Sequence, residues 1–308
     1  MICQRMLAIV AIGVLASASA VAAPKVVVSI KPLGSLVEGV MAGVGTPSVI
    51  VGGGRSLHTF SMRPSDAKAL NDAEVVFWVG EGLETFLAKP LLALSGRATI
   101  IELSQTPGLT LLPGREGGVW EEHDEDHDAP AVDHDHQLDG HIWLDPVNAK
   151  AIIGAVQLAL SQADRPNASV YAANAKAVMA RIEALDDELR ATLGPVKHEP
   201  FVVFHDGYQY FEKHYGLNAV GSITVNPDRM PGAKRVGEIK NKIKSLKAAC
   251  VFAEPQFEPK LVQTLVEGSD AKTGTFDPEA STLRAGPDLY FELMRGLAAN
   301  LTACFTGS

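Results

Sequence analysis

From Ala168 to Leu193 the chain carries neither glycine nor proline, and Tyr171, Ala175, Val178, Ile182, Leu185, Leu189 and Leu193 recur at steps of three and four. That period predicts one amphipathic helix of about 26 residues, roughly 40 Å long at 1.5 Å per residue. Asp164-Arg165-Pro166-Asn167 breaks the preceding helical stretch, and Gly194-Pro195 ends this one. A helix of that length near mid-chain, between two halves rich in alternating strand and helix signals, reads as a rigid connector. The chain then divides into a first lobe at 24–166, a connecting helix at 167–194 and a second lobe at 195–308.

Both halves have the same grain. Short β-branched runs at Val26–Ile30, Ser48–Val51, Glu74–Val79 and Thr99–Leu103 alternate with helical stretches at Pro32–Met41, Pro64–Asn71 and Leu83–Leu94. Phe201–Phe204, Asn218–Ile223, Ala249–Ala253 and Thr273–Phe276 repeat the pattern, and Leu289–Cys304 reads as a closing helix. Continuous apolar runs separated by helices indicate parallel strands covered on both faces. The expected fold is α/β: two open parallel-sheet lobes facing each other across a cleft, with ligands beyond the carboxyl ends of the strands. Gly140-His141-Ile142-Trp143-Leu144-Asp145-Pro146 reads as a further short strand stopped by an Asp-Pro turn.

The first 23 residues have the layout of a cleavable secretory signal: Arg5, an apolar run from Leu7 to Leu15, then small residues to Ala23. The apolar run is too short to span a bilayer. An exported, periplasmic protein is expected. Losing Arg5 moves the formal charge from the −9 of the whole chain to −10. That acidity excludes nucleic acid as a partner, because such binding depends on neutralising phosphates with basic side chains. Export also leaves two cysteines, Cys250 and Cys304. A disulfide is preferred over two buried free thiols, since an even pair in an oxidising compartment tends to bridge; the closed loop would be worth roughly 4 kcal/mol on the chain-entropy model.

Residues 121–136 pack His123, His127, His134 and His136 among eight carboxylates, and no Lys or Arg lies between Arg115 and Lys150. A short His-rich tract reads compositionally as metal-binding, and the stretch lacks the apolar residues to order itself. The expectation is a mobile loop over 115–140 that gathers metal as an auxiliary to a main site elsewhere. Four residues fall where the strand-end rule places that site: His58 after the second strand, His141 in the HIWLD segment, His205 closing Phe201–Phe204, and Asp277 after Thr273–Phe276. Three imidazoles with at most one oxygen ligand suit a borderline-soft ion such as Zn²⁺. Spacing alone does not bring them together, for they carry no local HxH or HExxH signature.

Several segments, in order over the mature chain, resemble one family: His58-Thr59-Phe60 with Pro64-Ser65-Asp66, Asp139 to Pro146, Phe204-His205-Asp206-Gly207-Tyr208 with Tyr210-Phe211, Glu254-Pro255-Gln256-Phe257, and Thr275-Phe276-Asp277-Pro278. These are similar to the signature segments of the zinc-binding, ZnuA-type solute-binding proteins of bacterial ABC metal importers. The resemblance extends to the long helix, the His/Asp-rich stretch and the two C-terminal cysteines. It implies that His58, His141 and His205 bind Zn²⁺, with Asp277 as an occasional fourth ligand or an acceptor behind the ligands. A histidine at 205, where manganese and iron relatives carry a carboxylate, favours zinc. Some zinc members place a Glu just before the first ligand; this chain has Leu57, so the fourth position falls to water, to Asp277 or to a residue of the histidine tract, with water preferred.

The resemblance further implies a monomer that captures Zn²⁺ in the periplasm and delivers it to a membrane permease driven by an ATPase, with no catalysis. Two other readings share the site: a zinc-dependent hydrolase with a three-His open centre, and a zinc-storage or adhesion protein. Against the hydrolase, no general base is spaced beside a ligand as in HExxH, and there is no GxSxG.

Overall fold

Two four-stranded sheets, each wholly parallel, are built from the β-branched runs of the two halves. The computed structural model describes residues 22–93, 97–115, 138–224, 227, 232–245, 247–258 and 260–307. In the first half, β1 (Val26–Ile30), β2 (Ser48–Val51), β3 (Val75–Trp78) and β4 (Thr99–Glu102) assemble in the order β2-β1-β3-β4. Helices α1 (Lys31–Val40), α2 (Pro64–Asn71) and α3 (Thr85–Ala93) connect them. β1 is central and buried on both faces along its whole length, which is why it reads as an unbroken Val/Ile run rather than an alternating one.

After α4 (Pro146–Ala163) and α5 (Ala168–Leu193), the second half adds β5 (Phe201–His205), α6 (Gln209–Tyr215), β6 (Ala219–Thr224), α7 (Ala233–Ser245), β7 (Cys250–Ala253), α8 (Lys260–Val266), β8 (Lys272–Thr275) and α9 (Leu289–Thr306). Its sheet order, β6-β5-β7-β8, repeats that of the first half. Parallel pairing of Val28 with Val49 and Phe77 has its counterpart in Val202 beside Gly221 and Val251.

The seven apolar residues that define the period of α5 are the seven that it buries. Helix α5 packs against α4, α1 and α9, so one apolar core runs from β1 through α5 to α9. A separate, smaller core lies under α7 and α8. The Cys250–Cys304 disulfide ties α9 to β7.

One sequence expectation is overturned. Ile142–Leu144 is a 3₁₀ turn, not a strand. All three side chains are buried, and a short apolar run of this kind fits a buried turn as well as a buried strand. The deciding residues follow it: Asp145 caps α4 by accepting from Val147 N at 2.7 Å, with Pro146 in the first turn. No helix among the described residues is long and apolar enough to cross a membrane.

Candidate metal centre

The loop after β2 carries His58. Gly53 and Gly54 turn the chain at φ of 69° and 77°, a region open to glycine at little cost. Arg55 ties the loop back, its Nε donating to Gly52 O at 2.9 Å and its guanidinium to Ile50 O at 2.8 Å, while Leu57 is sunk in the core. His58 is half-buried and its Nε2 has no hydrogen-bond partner.

His141 opens the 3₁₀ turn rather than a strand. Two residues earlier, Asp139 accepts from His141 N at 2.9 Å and sits 2.7 Å from His141 Nδ1. Tyr210 OH donates to Asp139 O at 2.9 Å and accepts from Leu112 N at 3.0 Å, pinning this segment to α6. His205 is the last residue of β5 and is buried. Its Nδ1 lies 2.5 Å from Glu254 Oε1, which also accepts from Tyr208 OH at 2.9 Å. Gly207 leaves the mouth open: a Cβ there would collide with the His205 ring and stand 3.0 Å from His141 Nε2.

These elements bring the three imidazoles together. Their ligand nitrogens lie within 4.8 Å of one another, and among the described residues no other group of three or more His, Cys, Asp or Glu does so. His141 Nε2 and His205 Nε2 are 3.3 Å apart. Two nitrogens each about 2.05 Å from a tetrahedral zinc would stand about 3.3 Å apart, so this pair already has the bite of a zinc chelate. The His58 ring centroid is 5.2 Å from that of His205 and 5.9 Å from that of His141.

Charge is arranged around this cluster. Burial, then repulsion from the other two rings, takes His58 down to about 2; burial and His141 take His205 down to about 3. Burial also opposes a charge on His141, but Asp139, Glu279 and Glu254 outweigh it and raise its pKa. Glu254 and Glu279 are both pushed up to about 8, chiefly by burial. His58 and His205 are thus neutral in the metal-free centre, with lone pairs available, while His141 is held towards its protonated form beside Asp139 and must give up that proton to bind a cation. Carboxyl groups behind the imidazoles fix the ring orientation and raise ligand basicity once a cation enters.

Asp277 is not part of the cluster. One of its oxygens accepts from Ser281 Oγ at 3.0 Å and Thr282 N at 3.1 Å, the other from Gln256 Nε2 at 3.1 Å. His123, His127, His134 and His136 lie outside the described residues.

Three carboxyl groups at the site received no role from sequence reasoning. Asp139 offers a local signal, an acid two residues before the candidate ligand His141. Glu254 directly follows β7, and the strand-end rule would reach it only if β7 were known to lie beside β5. Glu279 reaches across from the second half, its Oε2 accepting from Leu57 N at 2.9 Å and its Oε1 from Ser56 Oγ at 3.3 Å. A carboxyl group therefore does stand beside the first histidine, although residue 57 is leucine.

The family model described as zinc-uptake complex component A, periplasmic, matches residues 26–304. The chain belongs to the ZnuA family. The high-affinity zinc uptake system protein ZnuA of Brucella suis is 47% identical over 305 residues, covering 91% of each chain. The ZnuA of Yersinia pestis is 36% identical, covering 92% of each. A ZnuA crystal structure superposes with a TM-score of 0.75 at 25% identity, over 92% of this chain and 99% of that one. The zinc-bound form of a ZnuA deletion mutant gives 0.74 at 25% identity, over 92% and 98%. The periplasmic zinc-binding protein TroA of Treponema pallidum shares the fold, with a TM-score of 0.77 at 19% identity over 92% and 99%. ZnuA proteins are the zinc-binding components of uptake systems, a class of transport protein rather than of enzyme.

Proposed function

We propose that this protein captures Zn²⁺ in the cleft between its lobes through His58, His141 and His205, and passes it to the permease and ATPase of an ABC importer. The observation that carries the assignment is the triangle of imidazoles, the two buried ones already at chelate spacing with carboxyl groups behind their Nδ1 atoms. A divalent charge arriving there would draw Glu254 back to carboxylate, so binding and ligand orientation reinforce each other. Water is the proposed fourth ligand. Asp277 is assigned to its own loop, where serine, threonine and glutamine already occupy both oxygens.

Catalysis is not part of this reading. A zinc hydrolase needs a free general base near the metal, whereas Asp139 and Glu254 serve imidazoles and Glu279 serves Leu57 and Ser56. The protein acts as an exported monomer, freed of residues 1–23, with lobes at 24–166 and 195–308 joined by the helix 167–194. The histidine tract at 121–136 is proposed, from its composition, as a weaker collector of the same ion.

A competitive titration against a zinc chelator tests the site. One tight equivalent is expected in the native protein and lost in His205→Ala. A tight equivalent that survives His205→Ala would remove the assignment.

A further inference from the structure

Lys31 is the first residue of α1, in the first lobe, and only 8% exposed. An ammonium has three protons to donate, and all three here go to main-chain carbonyls of the opposite lobe: Ala280 O at 2.5 Å, Ser281 O at 3.2 Å and Leu283 O at 2.5 Å. A buried charge is costly unless it is well hydrogen-bonded, and lysine is rarely placed inside merely to fill space. Burial lowers its pKa, while the nearby Asp277 carboxylate works the other way.

The segment that Lys31 grips, 277–283, is a strap from the end of β8 to the first lobe. Ala280, fully buried, sits at a φ of 53°, a left-handed conformation that non-glycine residues adopt only where surrounding contacts impose it. Pro278 O accepts from Trp143 Nε1 at 2.9 Å, beside the His141 turn. Glu279, next to Ala280, holds Leu57 N and Ser56 Oγ, and Ser56 Oγ in turn accepts from His58 N at 3.2 Å. A continuous path of contacts therefore leads from Lys31 through Ala280 and Glu279 to the main chain of His58, the one zinc-facing ring with an unpartnered Nε2.

We propose that Lys31 is a positioning residue for zinc retention, acting through the 277–283 strap to hold Glu279 against the His58 loop. This rests on the three-histidine reading above. Without the ammonium, three buried carbonyls lose their donor, Ala280 is free to leave its left-handed conformation, and Glu279 loses its fixed distance to Leu57. His58 then detaches more readily, so the effect falls on zinc release rather than on the number of ions bound.

The test measures zinc release from the full mature protein into excess chelator, alongside stoichiometry. Lys31→Met, similar in length but without donors, should release zinc at least tenfold faster while still binding one tight equivalent. Lys31→Gln keeps two N–H donors and serves if the methionine variant does not fold; it should also release faster. Glu279→Gln should speed release by itself, and adding it to Lys31→Met should give much less than the product of the two effects. Leu160→Ala, at the far end of α4, lowers stability without touching the path and should release at the native rate. Native-rate release from both Lys31 variants, or fully multiplicative effects with Glu279→Gln, would overturn the inference. Lack of a tight equivalent in the unsubstituted protein, or its survival in His205→Ala, would instead overturn the site itself.

Discussion

His205 and His58 face the same point from supports of opposite character. His205 ends a strand flanked on both sides by others, is fully buried, and has its Nδ1 tied to Glu254. His58 rides on a glycine-turned loop, is half-buried, and leaves Nε2 without a partner. On the proposed zinc reading, the strand fixes one ligand before metal arrives. The loop supplies another whose placement is set by neighbours, Glu279 above all, and by the ion. A binding protein must both hold and release its cargo, and this division gives each task its own side of the cleft.

The strongest way to break the comparison is at Gly207, on the rigid side. A methyl group there occupies the space in front of His205 and His141, and β5 cannot yield to make room. Gly207→Ala should abolish tight zinc binding and, because the same collision with the His205 ring exists without metal, also lower the melting temperature of the metal-free protein, as followed by circular dichroism. Affinity within tenfold of native would mean that the strand-held side adapts after all.

Removing each ligand in turn sharpens the contrast. His205→Ala takes away a preorganised ligand and should weaken binding by more than about a hundredfold, beyond what loss of an outer partner costs. His58→Ala removes a ligand that must first be placed, and should cost at least tenfold but less than His205→Ala. Equal losses in chelator competition would erase the distinction.

Glu254→Gln leaves His205 in place but weakens the acceptor behind it. Affinity should fall by about 10- to 100-fold, with the stoichiometry unchanged. Native affinity would show that strand and packing alone orient His205.

Much of this was legible in the chain. The seven apolar positions of α5 specified its length and buried face because a helix repeats often enough for the period to be unambiguous. His58 and His205 followed from strand ends, since parallel βα units put loops and ligands on one rim. The His141 segment was misread as a strand, for three buried residues carry no period. Glu254 and Glu279 went unassigned because their roles depend on strand order and on a lobe-to-lobe contact, both long-range outcomes of packing. Lys31 was invisible for the same reason: a lysine in an apolar run gives no sign that main-chain carbonyls more than two hundred positions away will enclose it.

Beneath the His141 side lies Glu84, buried, its Oε2 accepting from Val79 N at 2.6 Å, and pushed up to about 7 mainly by burial. Leu83, beside it, packs on Gly140. In the unfolded chain this carboxyl ionises near 4.5, so above that pH the unfolded state loses its proton first. Native stability should then decline as pH rises from 4.5 towards 7, by up to about 3 kcal/mol from this group. Melting temperatures of the metal-free protein against pH should fall less steeply in Glu84→Gln; an identical slope would mean that Glu84 is ionised in the fold.

The smallest effect on the tight site is expected from deleting residues 121–136. Weaker zinc equivalents should disappear from a calorimetric titration and the tight one remain. Loss of the tight equivalent would make a residue of that tract the fourth ligand and shift the adaptable side of the centre away from His58.

The central claim concerns three imidazoles around one ion, and a crystal of the zinc-loaded protein with anomalous data collected at the zinc edge tests it most directly. The expected result is a single strong anomalous peak between the lobes, about 2.0–2.1 Å from a ring nitrogen of His58, His141 and His205, with Asp139 and Glu254 still behind the latter two. A peak bonded to Asp277 or Glu279 in place of His58, or one lying outside the triangle, would contradict the account.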